Sequence, residues 1–288
     1  MKYVYFPGCV TPQKENAYEL SMRKVAEKFG IQLLDLEGAN CCGFFMEPID
    51  HLSATLLAAR NLSLAEEKKC DLLTLCPACF GHLTKVKKEL TEDQELRKTV
   101  NEVLAEINKK FEGFLEVKHF IKVLLVDVGI TKIKRTITKP LTRLKVVPHY
   151  GCHILKPSDE LKLDNPENPT LLDSLIKATG VTFLDYMEKR LCCGAPIIGV
   201  NEKLSLRIMR EKLRSVQKVK ADAIITVCPF CHLHFDLNQF TVQEEYSEEY
   251  NIPILHYTQL LGLAQGLSPE ELGLYENRVP TDVILEIL

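Results

Sequence analysis

The sequence predicts an α/β protein made of two pseudo-symmetric duplicated units, each a short parallel sheet flanked by helices. Three observations predict it. Short apolar, strand-like runs alternate with segments of helical periodicity. The same order of signals occurs twice, from Lys2 to about Ile130 and from about Leu144 to Gly266. Each copy also carries the cysteine pattern C…CCG…CPxC at matching places between those segments. Strands alternating with helices argue for parallel sheets. The units divide as 1–143, which includes a basic linker, and 144–288.

In the first unit, the strand Tyr3–Phe6 ends at Pro7-Gly8-Cys9. A helix follows, with Tyr18, Met22, Val25 and Phe29 on one face, and Gly30 stops it. The strand Ile31–Leu36 leads to Cys41-Cys42-Gly43. A helix over about Ser53–Lys69 precedes the strand Asp71–Leu75, which delivers Cys76-Pro77-Ala78-Cys79 and a further helix. The charged stretch Leu90–Lys110 reads as one surface helix.

The second unit repeats this. The strand Lys145–Pro148 ends at Gly151-Cys152, and the helix Thr170–Thr179 stops at Gly180. The strand Val181–Leu184 precedes Cys192-Cys193-Gly194. A helix around Glu202–Val219 aligns Leu206, Met209, Leu213 and Val216, and the strand Ala223–Val227 delivers Cys228-Pro229-Phe230-Cys231. Both units close on a strand, a histidine (His119, His256) and an apolar helix, so these two histidines read as structural. The linker Thr131–Arg143 holds five basic residues and reads as a solvated connector, with a docking patch for an acidic partner as the sharper alternative.

Composition narrows the class. The chain has 288 residues, 46% of them apolar and 26% charged, with a net charge of −3. There is no basic footprint for nucleic acid and no polybasic membrane patch. The longest apolar run, Phe120–Val128, is too short to span a bilayer and carries Lys122 and Asp127. The N-terminus enters a strand and lacks a signal-peptide core. The expectation is a cytoplasmic protein with no membrane insertion and no nucleic-acid partner. Eleven cysteines in such a chain then point to metal ligation or catalysis rather than disulfides.

Ten of those cysteines form two sets of five: Cys9, Cys41, Cys42, Cys76 and Cys79; then Cys152, Cys192, Cys193, Cys228 and Cys231. Thiolates are the usual ligands of iron–sulfur clusters. A closed tetrahedral zinc site would leave one cysteine of each set idle, and vicinal disulfides are strained, so ligand count favours iron–sulfur over both. Each CPxC sits where a strand turns into a helix, whose N-terminal amides favour anionic sulfur. Gly43 and Gly194 read as keeping the backbone slim for an approaching group. Cys70 has no counterpart and reads as a buried thiol without a role.

The doubled pattern resembles the CCG, or cysteine-rich, domain family, and within it the B subunits of heterodisulfide reductases. The likeness covers nearly all of the chain. It is clearest at His149-Tyr150-Gly151-Cys152-His153, Asp164-Asn165-Pro166-Glu167-Asn168-Pro169 and Val227-Cys228-Pro229-Phe230-Cys231-His232. The resemblance implies two non-cubane [4Fe–4S] clusters, one on each set of five cysteines. It also implies reduction of the coenzyme M–coenzyme B disulfide between them. The implied partners are a ferredoxin-like C subunit and a flavin-containing A subunit, since the chain has no flavin, nicotinamide or ferredoxin fingerprint of its own.

Reducing a disulfide takes two electrons and two protons, so a proton source near neutral pH is expected. His153, directly after Cys152, is the leading candidate for that catalytic role and His149 the second. His232 and His234 follow the second CPxC as lesser candidates for donors behind the cysteines. The loops after the CCG motifs, Phe44-Phe45-Met46 and Ala195-Pro196-Ile197, depart from the small residues expected beside a substrate. That departure keeps two alternatives open: a related subunit acting on another disulfide, persulfide or sulfur carrier, and a non-catalytic electron-transfer subunit.

Overall fold

The computed structural model describes all 288 residues. Two four-stranded sheets form, and every strand pairing in them is parallel. In the first sheet β1 (Lys2–Phe6), β2 (Gln32–Asp35), β3 (Leu72–Thr74) and β4 (Val117–His119) lie in the order β2-β1-β3-β4. In the second, β5 (Lys145–His149), β6 (Thr182–Phe183), β7 (Ala223–Thr226) and β8 (Ile254–His256) lie in the order β6-β5-β7-β8. The duplicated α/β architecture expected from the sequence is therefore present, strand for strand.

This order puts a topological switch between β1 and β3, and between β5 and β7. Loops leaving the carboxyl ends of such neighbouring strands diverge and leave a crevice. Cys9 follows β1 and Cys76 follows β3, while Cys152 follows β5 and Cys228 follows β7. Strand alternation then decides what each sheet face buries. In the second sheet Val146, Ile225 and Leu255 join a core of 61 buried residues that runs through both units. Val147, Ile224 and Ile254 point the other way, into a separate core of 16 residues.

The two units meet through helices. Tyr257–Ala264 packs on Asn16–Lys28. Within that contact the Tyr18 ring stacks on His256 at 3.7 Å, and its hydroxyl donates to the Val227 carbonyl at 3.0 Å. Ser21 and Thr258 share a buried hydroxyl–hydroxyl bond of 2.7 Å.

Three expectations change. The stretch Leu90–Lys110 is not one helix: Pro77–Glu92 ends at Asp93, whose carboxylate caps a new helix, Gln94–Ala105, by accepting from Glu95 and Leu96 N–H. The basic linker is no loose connector. Ile130–Arg135 is helical, Ile133 and Leu141 are buried, and Thr138 and Lys139 N–H both bond to the Ala264 carbonyl. Its basic side chains do face solvent. Cys70 is half-buried against the core rather than fully buried.

His119 and His256 serve as helix caps. His119 Nδ1 accepts from Ile121 N–H while its Nε2 donates to the Leu75 carbonyl at 2.8 Å. Replacing Tyr18 by Phe removes a buried hydrogen bond between the units, from its hydroxyl to the Val227 carbonyl. The expected loss is about 0.5–1.5 kcal/mol of stability, read from the denaturant midpoint of anaerobic protein.

Candidate functional site

The loops after β1 and β3 belong to the first unit, and those after β5 and β7 to the second. They open onto one shared cleft, which spans about 710 Å³ when the solvent at its mouth is counted. Nine of the ten patterned cysteines line it, all but Cys192. Pro7, Phe44, Phe45, His153, Pro196 and Phe230 are among the other residues of its wall.

Within each set the sulfurs are hydrogen-bond neighbours in series. Cys9 is beside Cys41, Cys41 beside Cys42, Cys42 beside Cys79, and Cys79 beside Cys76. The second set repeats the order through Cys152, Cys192, Cys193, Cys231 and Cys228. Cys76 is itself beside Cys228, so the ten sulfurs form one continuous series across the two units.

Helix geometry explains the anion preference. Cys76 and Cys228 stand immediately before helices that open on Pro77 and Pro229. The free amides of Ala78 and Cys79 turn towards Cys76, and that of Cys231 towards Cys228. Gly43 N–H lies 3.5 Å from the Cys41 sulfur, and Gly194 N–H 3.4 Å from that of Cys192.

Crowding sets the protonation. Cys42 and Cys9 beside it, with the Gly43 amide, hold Cys41 down to about 2, and Cys152 and Cys193 do the same for Cys192. Cys42 and Cys193 are pushed up to about 12, first by Cys41 and Cys192. A thiolate on one sulfur thus opposes ionisation of the next. Five such neighbours become thiolates together only around bound cations. The donor set fits an iron–sulfur cluster: all sulfur, five per set, with amides supplied by the loops.

Two glycine pairs carry this geometry, and their roles differ from the sequence expectation. Gly43 and Gly194 do not make room for a ligand. With φ of +96° and +98°, they let the CCG loops pack onto helix backbone. A Cβ would meet the Ala54 carbonyl oxygen at 2.5 Å and that of Ser205 at 2.7 Å. Gly8 and Gly151 are the glycines that face sulfur, their Cβ positions 3.3 Å from Cys79 Sγ and 3.6 Å from Cys231 Sγ.

The histidines separate in the structure. His153 lines the cleft, its Nδ1 3.3 Å from Cys152 Sγ and its ring edge-on to Phe44 at 4.6 Å. Burial lowers its basicity, and charge at Cys76 and Cys192 opposes this. His149 is fully buried and does not line the cleft, so it stands behind the second set rather than beside a substrate. His232 stacks on His256 at 4.0 Å, and both bind the buried Glu15 carboxylate at 2.8 Å. His234 Nε2 is 3.4 Å from the Ser205 hydroxyl.

Sequence reasoning missed His82. It stands three residues after the first CPxC, as His234 does after the second, and extending the repeat by three residues reveals it. Of the bulky loop residues, Phe44 and Phe45 do enter the cleft, Phe45 meeting Phe230 across it at 5.6 Å. Met46 does not; it lies at the surface.

Comparison with known proteins agrees with this layout. A profile for CCG, described as a cysteine-rich domain, matches residues 3–84 and 146–236. The B subunit of a ferredoxin/F420H2-dependent CoB–CoM heterodisulfide reductase from Methanosarcina acetivorans is 40% identical over 283 residues, covering 96% of this chain and 94% of that one. A membrane anchor subunit of an 8-methylmenaquinol:fumarate reductase from Wolinella succinogenes is 33% identical, covering 96% of each. No helix of the present chain is long and apolar enough to cross a membrane. A solved hypothetical protein from Helicobacter pylori shares the fold, with a TM-score of 0.77 at 17% identity over 97% of this chain and 52% of that one.

Gly194→Ala places a Cβ against the Ser205 carbonyl at a positive φ. It is expected to cost about 1–3 kcal/mol and to lower the thermal midpoint measurably, whereas Gly199→Ala, in open space, leaves it in place.

Proposed function

The chain belongs to the cysteine-rich CCG domain family, as an iron–sulfur subunit of the heterodisulfide reductase B type, and on that basis we propose that it reduces the coenzyme M–coenzyme B disulfide to two thiols in the cleft between its units. One observation carries the reading. A single cleft is walled by both five-cysteine sets, with Cys76 of one beside Cys228 of the other.

Units 1–143 and 144–288 each supply one set. Cys9, Cys41, Cys42, Cys76 and Cys79 hold one non-cubane [4Fe–4S] cluster. Cys152, Cys192, Cys193, Cys228 and Cys231 hold the other. When bound, the two clusters supply the two electrons that the disulfide takes up with two protons. The chain itself does the rest. The apposed loops place a disulfide within reach of both sets at once. The largely apolar wall, with Phe44, Phe45, Pro7 and Pro196, limits water around the sulfurs. His153 stands at the cleft wall with its ring fixed by Phe44 and its Nδ1–H on the Cys152 thiolate. It is therefore the imidazolium form that carries a second proton on Nε2 for a substrate sulfur, returning to the neutral ring once that proton is given up. Electrons come from other polypeptides of a multi-subunit complex, a ferredoxin-like C subunit and a flavin-containing A subunit.

A second reading rests on the Phe45–Phe230 contact, which crosses the cleft between the sets, and on the fumarate reductase subunit among the relatives. In it the chain relays electrons between partners and the cleft takes no disulfide. Anaerobic turnover with the coenzyme M–coenzyme B disulfide, followed by EPR, separates the two: the first reading requires thiol release and a substrate-dependent cluster signal.

Anaerobically purified protein is expected to hold about eight irons per chain, from two four-iron clusters; stoichiometric zinc without iron overturns the assignment. His153→Ala is expected to keep that iron content and to slow disulfide reduction by about 10²-fold or more, the usual contribution of a positioned acid.

A further inference from the structure

The two cysteine sets match, but the protein behind them does not. The helices His51–Glu67 and Glu202–Lys218 are both 17 residues long. They lie in the same register against their CCG loops, Gly43 on Ala54 and Gly194 on Ser205. In that register Asn61 of the first unit stands where the second has Lys212. β1 and β5 align through Gly8 and Gly151, which makes Phe6 the counterpart of His149. An asparagine and a phenylalanine in one unit therefore answer to a lysine and a histidine in the other.

Lys212 is 1% exposed and His149 is 0% exposed. The Lys212 ammonium donates to His149 Nδ1 at 3.1 Å and to the Glu188 carbonyl, and it has no carboxylate partner. An ammonium only donates, so Nδ1 accepts and the imidazole proton resides on Nε2. That Nε2 has no hydrogen-bond partner in the protein. A ring nitrogen of His149 lies within 4.8 Å of the Cys193 and Cys231 sulfurs. Burying a cation without a counter-ion is costly. Burial lowers the Lys212 ammonium, and negative charge at Cys193, Cys231, Cys192 and Glu188 limits the drop to about 8.

The first set has no such support. Asn61 is neutral and gives its amide to the carbonyls of Asn40, Cys41 and Leu57. Phe6 is apolar core. His82 and His234 recur in both units and do not distinguish them. The Glu15 carboxylate is paired with His232 and His256. On the cleft side His153 stands where the first unit has Val10, but it faces Cys76 of the first set as well as Cys152 and Cys192 of the second, so it does not separate the two sets.

We infer that Lys212 and His149 hold the reduction potential of the second cluster above that of the first, making the second set the electron sink of the pair. This rests on the reading that each set holds an iron–sulfur cluster. One-electron reduction adds one negative charge to the group held by the thiolates. A buried cation behind these thiolates, with an imidazole within 4.8 Å of two of them, favours that reduced form. Neither side chain touches substrate, so both are positioning residues acting through Cys193 and Cys231.

The test is an anaerobic potentiometric titration with dithionite, without substrate, followed by EPR and absorption. It compares the unaltered protein with Lys212→Met, which keeps the chain length and removes the charge. The expected result is full iron content and a shift of one couple only. Its reduced-to-oxidised ratio at fixed potential falls at least tenfold, about 59 mV for a one-electron couple. The couple that moves is the one altered by Cys193→Ser. Should Lys212→Met not fold, His149→Phe installs the first unit's residue and is expected to shift the same couple downwards at full iron content. Full iron with both couples in place, or an equal shift of both, overturns the inference. Unaltered protein without iron overturns the cluster reading itself, and the inference with it.

Discussion

Ten sulfurs brought into one series cannot all be anionic without positive charge among them. Each thiolate in the series raises its neighbour, so Cys41 and Cys192 ionise readily while Cys42 and Cys193 resist. The rest of the site answers this constraint. Strand-to-helix turns supply amides to Cys76 and Cys228, the CCG loops supply amides to Cys41 and Cys192, and bound metal supplies the remaining charge. Loss of the metal leaves a cluster of mutually opposed thiols at the junction of the two units, close to the packing of Tyr18 on His256.

The fold places those sulfurs by an ordinary property of parallel sheets. Loops leave neighbouring strands in opposite directions at the switch point, and a crevice results. Duplication gives two such crevices, and helix packing between Asn16–Lys28 and Tyr257–Ala264 sets them face to face. A protein with one unit would have one set of thiolates. Apposing two makes one cleft with a five-thiol set on either side. Symmetry is then broken locally, by Lys212 and His149 behind one set and by Phe44 and Phe45 crossing from the other.

Much of the fold was legible because its signals are local. Strand runs, helix faces and glycine stops are read within a dozen residues, and their repetition raised each one's weight. Where the reading failed, the deciding contact was distant or depended on a cap. Asp93 divides a stretch whose charge pattern looks continuous. The basic linker is tied down by Ala264, more than a hundred residues away. Gly43 and Gly194 face helix backbone rather than a ligand, because a glycine's open side is set by tertiary packing and not by the residue beside it. His82 was legible in principle from the repeat but lies outside the cysteine motif itself.

By itself the sequence determined the duplicated α/β plan, the two sets of five cysteines and the chemistry those ligands favour, since ligand type and strand–helix alternation are written residue by residue. Only the tertiary structure decided that both sets share one cleft, that Cys76 stands beside Cys228, and that of two neighbouring histidines His153 faces the cleft while His149 lies behind it. Alternation along β5 and the turn after it send those two side chains to different sides of the second set. Lys212 is the clearest case. In sequence it is one lysine on a charged helix. Its meaning comes from being carried inside, away from water, with thiolates as the negative charge that faces it.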